Sequence, residues 1–123
     1  MPRAVTRFAA LALVTTAAFG CAFPPAGAVP PPVTAADADA AKARFPESNE
    51  TSLNSGREIF AAHCNACHSY PDVSKIEDAR WPGILSSMGK KAGLDAGQTQ
   101  AVLSFVIVAR SRPAAAPAPP QAQ

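Results

Sequence analysis

The chain has 123 residues, which is room for one domain. It carries 11 Lys and Arg residues against 9 Asp and Glu residues, and its one adjacent basic pair, Lys90 and Lys91, is explained by a solvated helix end. Because no long run of one charge is present, charge gives no indication of nucleic-acid binding or of long-range steering towards a charged partner.

The N-terminus has the pattern of an export signal. Arg3 and Arg7 form a basic region, and residues 8–19 are apolar over a length too short to span a bilayer. We therefore expect an exported protein, and loss of the two signal arginines leaves equal numbers of basic and acidic residues.

Two cleavage sites fit this signal. An A-x-A site at residues 26–28 would make 1–28 the signal peptide and release a soluble periplasmic protein. A lipobox-like sequence ending at Cys21 would shorten the signal to 1–20 and leave a diacylated cysteine that tethers the chain to a membrane. The soluble form is favoured, because the lipobox position three before the cysteine holds Ala where Leu is usual.

Proline and alanine bias sets both ends of the remaining chain apart from the folded domain. The prolines before residue 33 predict a stiff, extended backbone, and we assign 29–44 to a Pro/Ala-rich spacer with a short helix over 35–44. Residues 113–123 have the composition of a disordered tail. The folded domain is expected at 45–112.

Three stronger helices, and no strand, are predicted inside this domain. Ser55 and Glu58 match a capping box at or a few residues after the start of the first helix. The second is expected over about 79–90, opened by Asp78. Its apolar side chains recur at helical spacing on one face, at Trp81, Ile84, Leu85 and Met88.

The third helix is predicted to begin at a capping box formed by Asp95 and Gln98. It ends near Arg110, before a proline, and its apolar residues are Val102, Leu103, Phe105, Val106 and Ile107. The sequence therefore predicts a small all-α domain.

The most specific signal in the chain is C-x-x-C-H at residues 64–68, the attachment pattern of a c-type haem. If these residues continue the preceding helix, Cys64 and Cys67 lie on one face and can both form thioethers with the haem vinyl groups. His68, held beside the second thioether, can then coordinate the iron. We therefore predict one covalently attached haem c.

The two cysteines also allow three other uses. A thioredoxin-like redox motif needs a βαβ surround, whereas the flanks here are predicted to be helical. A zinc site would have to use His63, Cys64, Cys67 and His68, which are crowded into six positions. A disulfide between the two cysteines would close a very small loop and leave His68 without a role.

Met88 is the favoured second ligand of the iron. Met1 is lost with the signal, and His63 is tied to the helix that carries the motif, so it reaches the opposite haem face poorly. Met88 follows His68 by 20 residues, enough chain to approach from that face. The alternatives are that Met88 only fills the core, and that a lysine, a water molecule or an empty position faces the iron.

Together these motifs resemble a class I c-type cytochrome of the short monohaem bacterial type, over most of residues 45–112. The matching positions are Gly56, Phe60, Cys64, Cys67 and His68, together with a segment from Trp81 to Met88 that is similar to a W-x6-M pattern. The resemblance implies a cytochrome c-like helical domain wrapped around one haem. It also implies that the first and last helices meet at Gly56 and Phe60, opposite an apolar pair for which Leu103 and Val106 are the candidates.

The function implied is that of an electron carrier and not an enzyme. It would move single electrons between periplasmic or membrane-bound redox partners, dock with them briefly as a monomer, and contact a membrane only if Cys21 is lipidated. Two alternatives stay open. One is an open-site haem enzyme or gas-binding haem protein in which Met88 does not bind the iron, and the other is an accessory haem subunit of a larger oxidoreductase.

Overall fold

The computed structural model describes residues 27–112, which form four α-helices. They are α1 Ala35–Ala41, α2 Glu50–His63, α3 Trp81–Lys91 and α4 Ala96–Ser111, with short 3-10 turns at Val73–Lys75 and Asp78–Arg80. No strand occurs in this part of the chain, so the predicted all-α class is confirmed. The expected tail, 113–123, and all but the last two residues of the predicted 1–28 signal lie outside the described residues.

Reciprocal capping boxes open three of the helices: Thr34 with Asp37, Asn49 with Ser52, and Asp95 with Gln98. The box that begins α4 is the predicted one. α2 begins at Glu50, so the predicted box of Ser55 and Glu58 lies inside the helix. The Asn49 side chain accepts from the Ser52 backbone N–H, and the Ser52 hydroxyl accepts from the Asn49 N–H, each at 2.9 Å. These bonds satisfy two donors that the helix start would otherwise leave unpaired.

Asp78 does not cap α3, contrary to the sequence prediction. The helix starts at Trp81 without a side-chain cap. The Asp78 carboxylate instead accepts hydrogen bonds from Arg44 and from Arg110, the latter at 2.7 Å. The bond from Arg44, and then the bond from Arg110, hold the pKa of Asp78 below its usual value. One carboxylate thus connects the segment after α1, the turn before α3 and the end of α4.

The main helix contact is that of α2 with α4. At Gly56 the two backbones approach so closely that a Cβ would overlap the Ala101 carbonyl oxygen and lie 3.0 Å from the Phe105 Cβ. One turn further, the rings of Phe60 and Phe105 meet edge to face with centroids 6.0 Å apart. The close approach at Gly56 matches the expectation, but the atoms nearest it belong to Ala101 and Phe105.

The core lies between α4 and the elements packed on it. Its largest fully buried side chains are Trp81, Phe60, Phe105, Leu53, Val33, Val102 and Val106. Of the pair expected opposite Gly56, Val106 is buried in this core and Leu103 is half-buried at its edge.

The prolines before α1 do not form a free spacer in the structure. Residues 27–33, here named the N-terminal strap, lie along the domain, and Val33 is 2% exposed. The Asn54 side chain pairs with both peptide groups of Val33, accepting from its N–H at 2.8 Å and donating to its carbonyl at 2.9 Å. Two arginines hydrogen-bond to the proline carbonyls of the strap. Arg57 donates to the Pro30 carbonyl, and Arg112 donates to the carbonyls of Pro31 and Pro32. The packed unit therefore begins before residue 45.

Candidate functional site

The C-x-x-C-H segment lies where α2 ends. α2 stops at His63, and Cys64 is its C-cap residue, with its N–H bonded to the Phe60 carbonyl at 2.9 Å. Cys67 and His68 follow in a series of turns. Contrary to the expectation from sequence, the motif therefore does not continue the helix. The structure nevertheless keeps both thiols and the imidazole within one short segment.

The two cysteines have different surroundings. Cys64 is half-buried and packs against the core, and this burial raises the pKa of its thiol. Cys67 is exposed, and both cysteines are free thiols in the structure. Burial therefore favours the neutral thiol of Cys64 over its thiolate, whereas the Cys67 thiol is open to solvent.

His68 is exposed, and one of its ring nitrogens has a partner. Nδ1 lies 2.7 Å from the Ser69 carbonyl oxygen. Because a carbonyl oxygen can only accept, Nδ1 carries the proton, and in the neutral ring the lone pair is on Nε2. Histidines that bind metals commonly donate their second ring N–H in this way. The tautomer is therefore the one that a ligand role through Nε2 requires.

Tyr70, a residue that no sequence motif marks, anchors the loop after His68. Its hydroxyl donates to the Ala61 carbonyl at 2.6 Å, and its ring stacks on Phe60 with centroids 5.7 Å apart. Its own carbonyl accepts from the N–H of Gly27 at 2.9 Å. The one sequence signal for this role is that the chain's single tyrosine stands two residues after the motif.

Met88 lies on α3 and does not fill the core. Its side chain is 41% exposed, whereas Trp81 and Leu85 on the same helix are buried. Among residues 27–112 it is the one large hydrophobic side chain that is exposed. The core-filling alternative is therefore contradicted, and the thioether sulfur is accessible for another use.

The helices that carry the motif and Met88 are held by α4 and not by each other. α2 and α3 both pack on α4, and the two have no substantial interface of their own. At the start of α3 the Trp81 indole Nε1 is buried without a hydrogen-bond partner in the described part of the chain. A buried N–H of this kind is rare and calls for an acceptor.

Two free thiols and an imidazole with its Nδ1 already hydrogen-bonded are residue types that fit covalent attachment of a haem. A βαβ surround is absent from residues 27–112, and Cys64 and Cys67 are not joined. The zinc alternative gains no support, because no three His, Cys, Asp or Glu side chains of the described residues come together. Two surface grooves of the domain, both lined by Arg44 and Phe45, contain no residue of the motif.

No helix within residues 27–112 has the length and apolar character needed to cross a membrane. Comparison with known proteins adds no family to this description, since no family model, no curated protein and no solved structure matches the chain. The resemblance to class I cytochromes therefore rests on the motif residues alone.

Proposed function

We propose that this chain is a monohaem c-type cytochrome that carries single electrons between periplasmic or membrane-bound redox partners. The proposal is supported mainly by the positions of the side chains that could bind a haem. The thiols and the imidazole of C-x-x-C-H lie in the short run of turns that follows α2, and Met88 is exposed on α3 instead of filling the core. These donors are the set that a cytochrome c-like domain needs around one haem.

Cys64 and Cys67 would hold the group covalently. Each thiol would add across one vinyl double bond, with the sulfur bonding to one carbon and the thiol hydrogen passing to the other. The addition consumes no oxidant, so it requires reduced cysteines, and both are free thiols. The half-buried Cys64 would fix one edge of the attachment against the core, and the exposed Cys67 the other.

His68 and Met88 would be the two side-chain ligands of the haem iron. His68 would bind through Nε2, with its ring orientation set by the bond from Nδ1 to Ser69. Met88 would bind through its thioether sulfur. A covalently bound haem would supply one-electron exchange at its iron, and a thioether ligand raises the potential at which that exchange occurs. With both positions filled by side chains, substrate has no open coordination site.

Covalent attachment is tested by expressing the full chain in a host that exports it and matures c-type cytochromes. We expect haem to stay on the polypeptide after denaturation and acid extraction, and the intact mass to include it. The double variant C64S/C67S should lose the haem. H63A is the matched control and should keep it, since His63 has no assigned role. A colourless chain with two free thiols, from a host that matures other cytochromes, would refute the proposal.

The axial role of Met88 needs a separate test. We expect the oxidised protein to show the weak long-wavelength absorbance of sulfur bound to ferric iron, and M88A to lose it and to bind carbon monoxide when reduced. S87A is the control, because Ser87 is an exposed neighbour on the same helix. Rapid carbon monoxide binding by the reduced wild type would instead favour the open-site alternative.

A further inference from the structure

We infer that export processing leaves Gly27 in the mature protein, so that the signal is removed upstream of the A-x-A site at 26–28. Of the two candidate cuts in the sequence, the one before Cys21 meets this condition and the one after Ala28 does not. The inference rests on how the first residues of the N-terminal strap are fitted to the loop that follows the haem-attachment motif.

Gly27 is a fitted part of the domain. Its N–H donates to the Tyr70 carbonyl at 2.9 Å. Its Cα lies so close to the chain at Pro71 that a Cβ would overlap the Pro71 carbonyl group and the Asp72 nitrogen. These neighbours are backbone atoms, which cannot swing aside as the end of a side chain can. The position therefore accepts glycine and no larger residue without movement of the loop.

The loop that Gly27 contacts is the one behind His68. Tyr70 stands two residues after that histidine and is held from the other side by its stacking on Phe60 and its hydroxyl bond to Ala61. Gly27 adds a further contact, the hydrogen bond from its N–H to the Tyr70 carbonyl. It is thus a positioning residue for the loop, and a cut after residue 28 would remove it.

A cut after Ala28 would also create a new chain end at Val29, next to the core. Val29 is half-buried and packs against the core. As the first residue of a mature chain it would carry an α-ammonium group, which has a pKa near 8 and is mostly charged at neutral pH. A cut before Cys21 leaves the amino group eight residues away from Val29.

The direct test is the N-terminal peptide of the mature protein. The full chain is exported from its coding sequence, purified, digested and examined by tandem mass spectrometry. A peptide that begins at Cys21, or at any position up to 27, supports the inference, and its mass also reports whether Cys21 is acylated. A peptide that begins at Ala28 or Val29 overturns it. The result does not depend on haem, so failure here leaves the proposed function standing.

Two substitutions test the fitted role of Gly27. G27A and A28S both keep small residues in the A-x-A site, so either cut remains available. If Gly27 is retained, we expect G27A to lower the Tm of the mature protein by about 5 °C or more, while A28S, at an exposed position, leaves it unchanged. Equal melting of G27A and wild type would overturn the inference. Should G27A not fold, the wild-type peptide still decides.

Discussion

Replacing Gly56 by Ala sets two opposing effects against each other at the α2–α4 contact. Ala is favoured over Gly inside a helix by about 0.5–1 kcal/mol. Against this, the added methyl overlaps the Ala101 carbonyl oxygen and meets the Phe105 Cβ at 3.0 Å. Neither neighbour can rotate away, because one is backbone and the other is the first side-chain atom. The helices must therefore separate.

Overpacking of this kind costs about 1–3 kcal/mol, and the cost should lie in the upper half of that range because backbone has to move. After the helix gain is subtracted, we expect G56A to be destabilised by about 1–2.5 kcal/mol. For a domain of this size each kcal/mol lowers Tm by roughly 4–8 °C. Gly83 provides the matched control, since it lies in α3 and a Cβ there meets nothing within 4 Å.

The assay is thermal unfolding of the haem-loaded proteins, followed by circular dichroism. G83A should gain only the stability by which Ala is favoured over Gly in a helix, so it should melt above wild type. G56A should melt below wild type. If G56A melted at or above the wild-type temperature, the close approach at Gly56 would not be a constraint on the fold, and the packing argument would be wrong.

Two further substitutions test the polar contacts. D78N should lower stability at pH 7 by about 1 kcal/mol, and the difference from wild type should disappear as the pH falls below about 4, because a carboxylate with a lowered pKa stabilises only while it is ionised. D39N, which breaks an exposed ion pair, is its control and should change little. N54A removes both bonds to Val33 and should cost about 1–3 kcal/mol. In N54A the N-terminal strap should also become sensitive to protease. Protease resistance equal to that of wild type would contradict the role given to Asn54.

Local signals in the sequence are enough to predict the helices and the capping box that begins α4. Asp95 and Gln98 form a box that involves only residues three apart, and the structure confirms it. The start of α2 was missed because Asn49 with Ser52 departs from the usual Ser or Thr followed by Glu or Gln. Asp78 was misassigned for a different reason, since its partners lie more than 30 residues away in both directions.

The N-terminal strap shows what composition can and cannot predict. Proline fixes φ and has no N–H to donate, which correctly predicts an extended backbone outside any helix or sheet. The same residues keep their carbonyl oxygens, and these need donors wherever the segment lies on a protein surface. The donors come from Arg57 and from Arg112, about 27 and 80 residues along the chain. A composition rule contains no information about partners at that distance.

The residues proposed for the site can be picked out from the sequence, whereas the contacts that hold them in place cannot. The C-x-x-C-H pattern identifies the two thiols and the imidazole. No local feature of the motif indicates that Phe60 contacts both Phe105 on α4 and Tyr70, two residues after His68. Through Phe60, the helix contact that Gly56 permits also positions the loop that follows His68. We therefore expect G56A to shift the absorption spectrum and potential of the haem-loaded protein as well as its Tm, and G83A to shift neither. A spectrum of G56A identical to that of wild type, with a lowered Tm, would show that the loop is held by its own hydrogen bonds alone.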